Sequence, residues 1–349
     1  MRTTFIFNSI TFILSVITLF RGFFIKKNFS RYFIVNNKND LIDERSKMYC
    51  NKNQLINSIN FVHTTNLIIA IEVYFKIPNT IFINSLNYFS EKFSKKLIFI
   101  FVNKILENYQ VKKHYMIDDY RYLGIFIPIC NKLNIKTTGY MHGRISKELK
   151  FQESLKNYTF DELYIWSKFF CKELLRINPN YAQRKIIIYN KFKGLKFPKK
   201  KKKKRIILFL EESIVPHSFF FKVAKNILIK NHYEIAYKFR PNNNKKNLVI
   251  MSYCKKNKIK TFHEGSFESL AVKQNILAIV ATNTTALINA SYFGVFPICI
   301  KSKYSLNFYF KEKIVFPLKM DTNILYQLKK IFNNKKKLHN IKKKLWQKK

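Results

Sequence analysis

Residues 275–301 read NILAIVATNTTALINASYFGVFPICIK, and this stretch indicates the class of fold. An apolar run at 275–281 is followed by the polar residues 282–285, a helical stretch at 286–293 and a second apolar run at 295–301. Continuous apolar runs are typical of strands buried on both faces of a parallel sheet. Gly294 stands where a helix commonly ends, since glycine readily adopts the left-handed conformation. The stretch therefore predicts a strand–helix–strand unit.

The same alternation of strands and helices extends along the chain in both directions. Other strands are predicted at 3–7, 32–35, 80–84, 114–117, 135–140, 162–166, 186–189, 205–210, 234–239 and 259–262, and 295–301 is the last clear one. Helices are predicted between them, at 10–27, 86–109, 123–133, 168–177, 219–230, 248–256, from 267, and at 321–332 with a helical tail. This α/β pattern, which restarts in the second half, predicts two doubly wound Rossmann-like domains facing across a cleft, the GT-B arrangement.

The boundary between the two halves is marked by Pro198 and six consecutive lysines, Lys199–Lys204. Like charges at this density repel one another and belong at an exposed connection. We therefore predict a first domain at 1–197, a Lys-rich linker at 198–204, and a second domain with a basic helical tail at 205–349.

The charge is strongly positive, because 65 Lys and Arg residues face 20 Asp and Glu residues, a net +45. Such a charge is compatible with nucleic acid or an anionic membrane as a partner. Lysine dominates, however, and Asn, Ile, Phe and Tyr are abundant, which is typical of an AT-rich genome. Lysine also lacks the planar fork with which arginine reads bases. Nucleic acid is therefore the less favoured partner. Because Gly and Arg are scarce in this chain, each of them is a stronger candidate for a functional position.

The amino terminus allows two interpretations. Residues 5–20 are uncharged and mostly apolar, as in a signal anchor, but the run is shorter than the roughly 20 residues that span a bilayer. The favoured alternative is a βαβ unit in which Asn8 and Ser9 form the loop after the first strand. The five scattered cysteines form no CxxC pair, so neither a metal site nor a disulfide framework is predicted.

In the second half, polar residues at the carboxyl ends of the predicted strands are candidates for donor binding. Thr282–Thr285 opens a helix, where backbone N–H groups and hydroxyls suit a phosphate, although an ordinary helix cap explains the same residues. Arg240 can clamp a phosphate or pair with an acid. The acids near 264–268 suit ribose hydroxyls or the helix dipole. The candidates are Arg240, Glu264, Ser266, Glu268, Asn283, Thr284 and Thr285.

The first half offers candidates for catalysis and acceptor binding. Asp118 and Asp119 follow a predicted strand, and one of them can act as a general base, although a salt-bridged turn is the alternative. Histidine is the side chain whose ordinary pKa lies nearest neutrality, so His142 is a second catalytic candidate, although a lone histidine can equally be a structural residue. The candidates for the acceptor and the cleft are Asn8, Ser9, Gly143, Arg144, Glu211 and Glu212.

In order along the chain, Asp118-Asp119-Tyr120, Arg240-Pro241 and Thr284-Thr285 resemble three motifs of the bacterial lipooligosaccharide and capsule sialyltransferases. These enzymes have the GT-B fold. Tyr120 stands where the first motif has Gly, and Arg240 stands where the second has His. The resemblance implies that Asp118 or Asp119 is the general base, and that Arg240 with Thr284 and Thr285 holds the nucleotide. It also implies a sialic-acid-like donor sugar.

We therefore expect a metal-independent glycosyltransferase that builds a bacterial surface glycan and needs no cofactor besides its nucleotide-sugar substrate. The acceptor would be a polysaccharide or lipid-linked glycan, and the basic tail at 329–349 would hold the enzyme at the cytoplasmic face of the inner membrane. Two rivals remain open. One is a CDP-polyol phosphotransferase of surface-polymer synthesis, and the other is a basic nucleic-acid-binding protein, whose binding would depend steeply on salt.

Overall fold

The structure is a computed structural model. The residues that it describes are 13, 16–18, 20, 31–36, 58–63, 75, 79–82, 91–109, 111–117, 120–141, 143, 145, 153–190, 192, 205–212, 216–228, 233–240, 248–320 and 323–346. The chain divides into two compact units. The first contains residues 1–166 and 171–189, and the second contains residues 167–170 and 190–349.

A parallel sheet forms the centre of the first unit, with strand order β3-β2-β1-β4-β5-β6-β7. The strands are β1 (Arg31–Asn36), β2 (Ile59–His63), β3 (Thr80–Phe82), β4 (Lys113–Ile117), β5 (Lys136–Tyr140), β6 (Glu162–Ile165) and β7 (Lys185–Ile188). The described helices before β7 are α1 (Glu91–Tyr109), α2 (Tyr120–Lys132), α3 (Glu153–Asn157), α4 (Lys168–Ile177) and a 3₁₀ turn (Pro179–Gln183).

Side-chain size decides how tightly this sheet packs. In β4, His114 is fully buried and its ring stacks on Phe126 of α2, with centroids 5.8 Å apart. In β5, Gly139 lies against Phe160, and a Cβ added there would come within 2.5 Å of that ring. Interiors are packed as densely as crystals of small molecules, so a methyl group has no room at this position.

The described residues near the amino terminus, 13, 16–18 and 20, are helical, as predicted for 10–27. Thr18 is buried, and its Oγ1 accepts a hydrogen bond of 3.0 Å from the Phe82 backbone N–H at the end of β3. Phe20 packs edge-on against Phe101 of α1. Within the described part of the chain, no helix is long and apolar enough to span a bilayer. The strand predicted at 3–7 lies outside the described residues.

The second unit also contains a fully parallel sheet, with strand order β10-β9-β8-β11-β12-β13. Its strands are β8 (Ile206–Leu210), β9 (Glu234–Lys238), β10 (Lys260–Phe262), β11 (Ile276–Ala281), β12 (Phe296–Ile300) and β13 (Phe316–Leu318). Its described helices are α5 (His217–Leu228), α6 (Leu248–Lys256), α7 (Phe267–Lys273), α8 (Ala286–Tyr292), α9 (Asn307–Lys311), α10 (Ile324–Asn333) and α11 (Lys335–Trp346).

One prediction about the second unit is wrong, because 295–301 is not the last strand. β13 follows it and pairs with β12 at the edge of the sheet. Pro317 lies in this three-residue strand, and an edge strand tolerates proline because one side of the strand needs no N–H donor. The Lys-rich linker predicted at 198–204 lies outside the described residues.

The C-terminal helix α11 packs against α8 through its apolar side. Ile341, Leu345 and Trp346 are buried, and the Trp346 Nε1–H donates a 3.1 Å hydrogen bond to the hydroxyl of Ser291 in α8. The exposed side carries lysines, among them Lys342 and Lys343. The basic tail is therefore an integral helix of the second unit as far as Trp346.

Candidate functional site

The carboxyl ends of the strands in the second sheet gather most of the predicted donor-site residues. β9 and β10 lie on one side of β8, and β11, β12 and β13 lie on the other, so the strand order reverses between β8 and β11. In open α/β sheets, ligands bind outside the carboxyl ends at such a reversal. Here the two strands end at Glu211-Glu212 and at Thr282–Thr285.

Glu212 joins the two strand ends. Its carboxylate accepts hydrogen bonds from the Thr282 N–H (2.6 Å), the Thr282 hydroxyl (2.7 Å) and the Asn283 N–H (2.5 Å). Thr282 is fully buried, whereas Asn283 is half-buried. The sequence assigned Glu212 to the acceptor or the cleft, but in the structure its carboxylate holds the start of the donor-side loop.

Glu211 makes the corresponding hydrogen bonds on the opposite side of β8, with the backbone at the end of β9. Its N–H donates to the Lys238 carbonyl of β9 (2.9 Å), and its Oε2 accepts from the Arg240 backbone N–H (2.7 Å). The backbone of Arg240 is thereby fixed, while the residue itself is exposed at the rim of the sheet. An exposed arginine with a fixed backbone at this rim can bind a phosphate bidentately.

Two backbone carbonyls of the Thr282–Thr285 segment also accept hydrogen bonds from side chains. Cys299 of β12 donates through its Sγ to the Thr282 carbonyl (3.3 Å), and the Tyr309 hydroxyl donates to the Thr284 carbonyl (2.9 Å). Thr284 Oγ1 accepts from the Ala286 N–H at 3.3 Å, whereas Thr285, the N-cap residue of α8, makes no side-chain cap hydrogen bond. Asn283, Thr284 and Thr285 are all half-buried. The side-chain cap that an ordinary helix start would have is therefore not formed at Thr285.

Of the candidates at 264–268, two make hydrogen bonds that hold helices in place and one is exposed. Ser266 caps α7 by accepting a 3.2 Å hydrogen bond from the Ser269 N–H, and Gly265 before it has φ +74°. Glu268 accepts a hydrogen bond from the side-chain amide of buried Asn289, which ties α7 to α8. Glu264 alone of the predicted acids in this segment is exposed, so it is the one that can meet a ribose.

Two ring systems at the same rim were missed by the sequence reasoning. Phe239 and His263 follow β9 and β10, and their rings stack in parallel with centroids 4.7 Å apart. His263 is exposed and Phe239 is buried beneath it. The flat outer face of such a pair suits a planar base. The sequence feature that could have predicted this pair is an aromatic residue directly after each of two neighbouring strands.

In the first unit the structure describes only part of the predicted site. Gly143 is half-buried just beyond β5, after buried Met141. The remaining candidates of this unit lie outside the described residues, namely Asn8, Ser9, Asp118, Asp119, His142 and Arg144. Asp118 directly follows Ile117, the last residue of β4, whose Cα partner on β5 is Tyr140.

A metal site was not predicted. Among the described residues, no group of three or more His, Cys, Asp and Glu side chains could hold a metal ion.

No protein-family model and no curated protein sequence matches the chain. Solved structures do match its fold. The UDP-GlcNAc 2-epimerase of Neisseria meningitidis bound to UDP-GlcNAc is 12% identical, with a TM-score of 0.58 over 89% of this chain and 93% of that one. UGT71G1 of Medicago truncatula complexed with UDP-glucose is 11% identical, with a TM-score of 0.52 over 91% and 94%.

The lipopolysaccharide outer core galactosyltransferase WaaB, in its apo form, is 10% identical, with a TM-score of 0.50 over 90% of this chain and 95% of that one. At identities this low the likeness establishes the fold, and function has to be argued from the site. The chain therefore has the α/β GT-B fold, built from two Rossmann-like units.

Proposed function

We propose that the protein is a glycosyltransferase that moves a sugar from a nucleotide-sugar donor to a glycan of the bacterial surface. The observation that carries this proposal is that solved proteins with the same fold, over about nine tenths of the chain, bind UDP-glucose and UDP-GlcNAc. The donor-side rim of the second unit supplies groups of the kind that such a ligand needs.

On the donor side, each part of a nucleotide has a counterpart at the carboxyl ends of the strands. The Arg240 guanidinium and the segment 283–285 suit the phosphates, the exposed carboxylate of Glu264 suits the ribose hydroxyls, and the stacked pair Phe239–His263 suits the base. During transfer the sugar–phosphate bond breaks, and negative charge grows on the departing phosphate. A fixed arginine stabilises that charge without a metal ion.

On the acceptor side, Asp118 or Asp119 would remove the proton from the acceptor hydroxyl as the new glycosidic bond forms. The hydroxyl oxygen attacks the anomeric carbon, the nucleotide leaves with the bonding electrons, and the proton passes to the carboxylate. His142, Gly143 and Arg144 follow the neighbouring strand β5, and in this proposal they line the acceptor site together with Asn8 and Ser9.

The proposal also covers the identity of the donor sugar and the location of the reaction in the cell. The resemblance at Asp118-Asp119, Arg240 and Thr284-Thr285 supports a sialic-acid-like sugar, carried by CMP. The exposed lysines of α11 support a position at the anionic inner face of the membrane, near a lipopolysaccharide or capsule precursor.

A second candidate activity is epimerisation of a UDP-sugar. The observation in its favour is that the Neisseria meningitidis epimerase matches the chain with a higher TM-score than the galactosyltransferase WaaB does. Epimerisation needs no acceptor, because it inverts one carbon of the nucleotide-sugar itself.

A thermal-shift screen with UDP, CMP, CDP and GDP tests nucleotide binding, because a ligand of the folded state raises the apparent melting temperature. We expect UDP or CMP to raise it, whereas no shift with any nucleotide would remove the proposal. Product analysis then separates the activities. UDP-GlcNAc converted without acceptor shows an epimerase, and nucleotide released only with a glycan acceptor shows a transferase. Replacing Asp118 and Asp119 together by Ala should abolish transfer and preserve the nucleotide shift.

A further inference from the structure

Four tyrosines on four neighbouring strands of the first sheet form a diagonal row, which starts in the middle of β4 and ends just beyond β7. Tyr115 lies in β4, Tyr140 ends β5, Tyr164 lies in β6, and Tyr189 directly follows β7. We call them the tyrosine row. The rings of Tyr140 and Tyr164 stack in parallel with centroids 4.5 Å apart, and Tyr189 meets Tyr164 edge-on at 6.2 Å.

All four side chains belong to one face of the sheet. His114 of β4 stacks on Phe126 of α2, so its neighbour Tyr115 points to the opposite face, since successive residues of a strand alternate. Tyr115 pairs with Thr138, which is two residues from Tyr140 and on the same face. Tyr140 in turn pairs with Tyr164 in the register of β5 and β6.

Tyr189 completes the row by the same alternation. Tyr164 pairs with Ile187 of β7, which precedes Tyr189 by two residues. The residues that alternate with the row, such as Leu163 and Ile165, are buried on the helix side. The tyrosines themselves are half-buried. The row is therefore a ridge of aromatic edges and hydroxyls that solvent reaches.

Two of the phenols, Tyr140 and Tyr189, have a raised pKa. Burial raises the pKa of Tyr189 to about 12. Burial also raises the pKa of Tyr140, and the neighbouring Tyr164 and Tyr115 raise it further. The row thus combines neutral hydroxyls at Tyr140 and Tyr189 with apolar ring edges, and the Tyr140 side chain is hydrogen-bonded to Tyr164. This mixture complements a sugar, which presents hydroxyls at its rim and C–H groups on its faces.

Charges next to the row favour an acidic ligand. Two residues nearer the amino ends of the strands, on the same face, Glu162 bridges Lys136 (3.1 Å) and Lys185 (2.8 Å). Lys113 is exposed at the same level of β4. Three lysines against one carboxylate leave this part of the face positive, and a carboxylated or phosphorylated chain would be attracted to it.

The row also has a defined place relative to the proposed chemistry. Tyr140 is the Cα partner of Ile117, which directly precedes Asp118, the proposed base. From Tyr140 of β5 the row runs to β7, the edge strand, across two strand spacings of about 4.8 Å, or about 10 Å in total. A glycan bound along the row therefore ends beside β4, the strand after which Asp118 follows in the sequence.

We propose that the tyrosine row binds an anionic glycan, the part of the acceptor that lies behind the sugar receiving the new residue. This inference rests on the proposed function, because it extends the acceptor site of that reaction.

The test is direct binding, measured by calorimetry, of two tetrasaccharides of equal length, acidic hyaluronan tetrasaccharide and neutral chitotetraose. We expect the acidic probe to bind at least about tenfold more tightly than the neutral one, about 1.4 kcal/mol, and its affinity to fall as salt increases. Equal affinity for both probes, or no binding of either, overturns the proposal.

Variants locate the binding. Tyr164→Ala should weaken binding of the acidic probe at least about tenfold. Tyr189→Ala, which lies after the strand and is less of a risk to folding, should do the same. Tyr326→Ala is the matched control, because Tyr326 is 65% exposed in the other unit and should leave the affinity unchanged. Binding that survives both Tyr164→Ala and Tyr189→Ala in folded protein places the glycan elsewhere and overturns the proposal.

Thermal shifts with UDP and CMP in the same samples keep the two proposals apart. If a nucleotide raises the melting temperature but the tetrasaccharide does not bind, only the proposal for the tyrosine row is overturned. Tetrasaccharide binding without any nucleotide shift keeps the row as a glycan site and removes the transferase.

Discussion

Glu212 at the carboxyl end of β8 and Thr282 at the carboxyl end of β11 are joined by two hydrogen bonds, in which the Thr282 N–H and hydroxyl donate to one carboxylate oxygen at 2.6 and 2.7 Å. The other oxygen accepts from the Asn283 N–H. The contact bridges the point where the strand order reverses, and the donor-side loop starts from it.

Replacing Glu212 with Gln should therefore destabilise the second unit. Gln keeps one acceptor oxygen but turns an NH₂ group towards backbone donors, and Thr282 is fully buried. We expect the free energy of unfolding to fall by about 2–3 kcal/mol, as for a buried donor left unsatisfied. Denaturant unfolding measures it. Glu264→Gln, at an exposed strand end, is the control and should cost less than about 0.5 kcal/mol. Equal effects would show that the carboxylate contacts contribute nothing.

Arg240→Ala should weaken binding of the nucleotide that the thermal-shift screen identifies. A hydrogen bond to a charged group contributes about 1.5–3 kcal/mol, so we expect a loss of about tenfold to a hundredfold in affinity, measured by calorimetry. Arg205, exposed at the amino end of β8, provides the comparison. Arg205→Ala lies away from the rim and should bind as the wild type does. An Arg240→Ala protein with unchanged affinity would exclude Arg240 from phosphate binding.

Gly139→Ala and Gly294→Ala should destabilise the protein for different reasons. At Gly139 the new Cβ would come within 2.5 Å of Phe160, and overpacking of this kind costs about 1–3 kcal/mol. At Gly294 no atom lies within 4 Å of an added Cβ. Its φ is +68°, however, and this backbone conformation costs a residue with a Cβ about 1 kcal/mol. The added change Phe160→Leu should partly rescue Gly139→Ala and leave Gly294→Ala unaffected. Rescue of both variants, or of neither, would contradict this distinction.

His114 should make the protein sensitive to mild acid. Burial lowers its pKa from 6.5 to about 3, so between these values the unfolded state binds a proton that the folded state does not. Stability therefore falls as the pH drops below 6.5, by about 2 kcal/mol at pH 5. In His114→Phe this contribution should vanish, which urea unfolding at pH 7.5 and pH 5 will show. The same loss in both proteins would mean that other groups cause it.

Local patterns in the sequence predicted much of the architecture. The helices at 168–177 and 248–256 were predicted with the bounds that they have in the structure, because apolar residues recur there at the helical period. Most strands were predicted as well, since buried parallel strands are continuous apolar runs. β2 was not predicted, because the buried polar residue Asn60 interrupts its apolar pattern, and β13 was missed because of its length and Pro317.

The sequence by itself determined which residues end the strands, because strand ends are set by short-range composition. Only the tertiary structure decided what those residues do. Glu211 and Glu212 are neighbours in an acidic pair, yet one binds the backbone beyond β9 and the other the backbone beyond β11. The four tyrosines are separated by more than twenty residues each and become one row only in the register of β4 to β7. Hydrogen bonding between strands creates such neighbours, and no local pattern in the sequence records it.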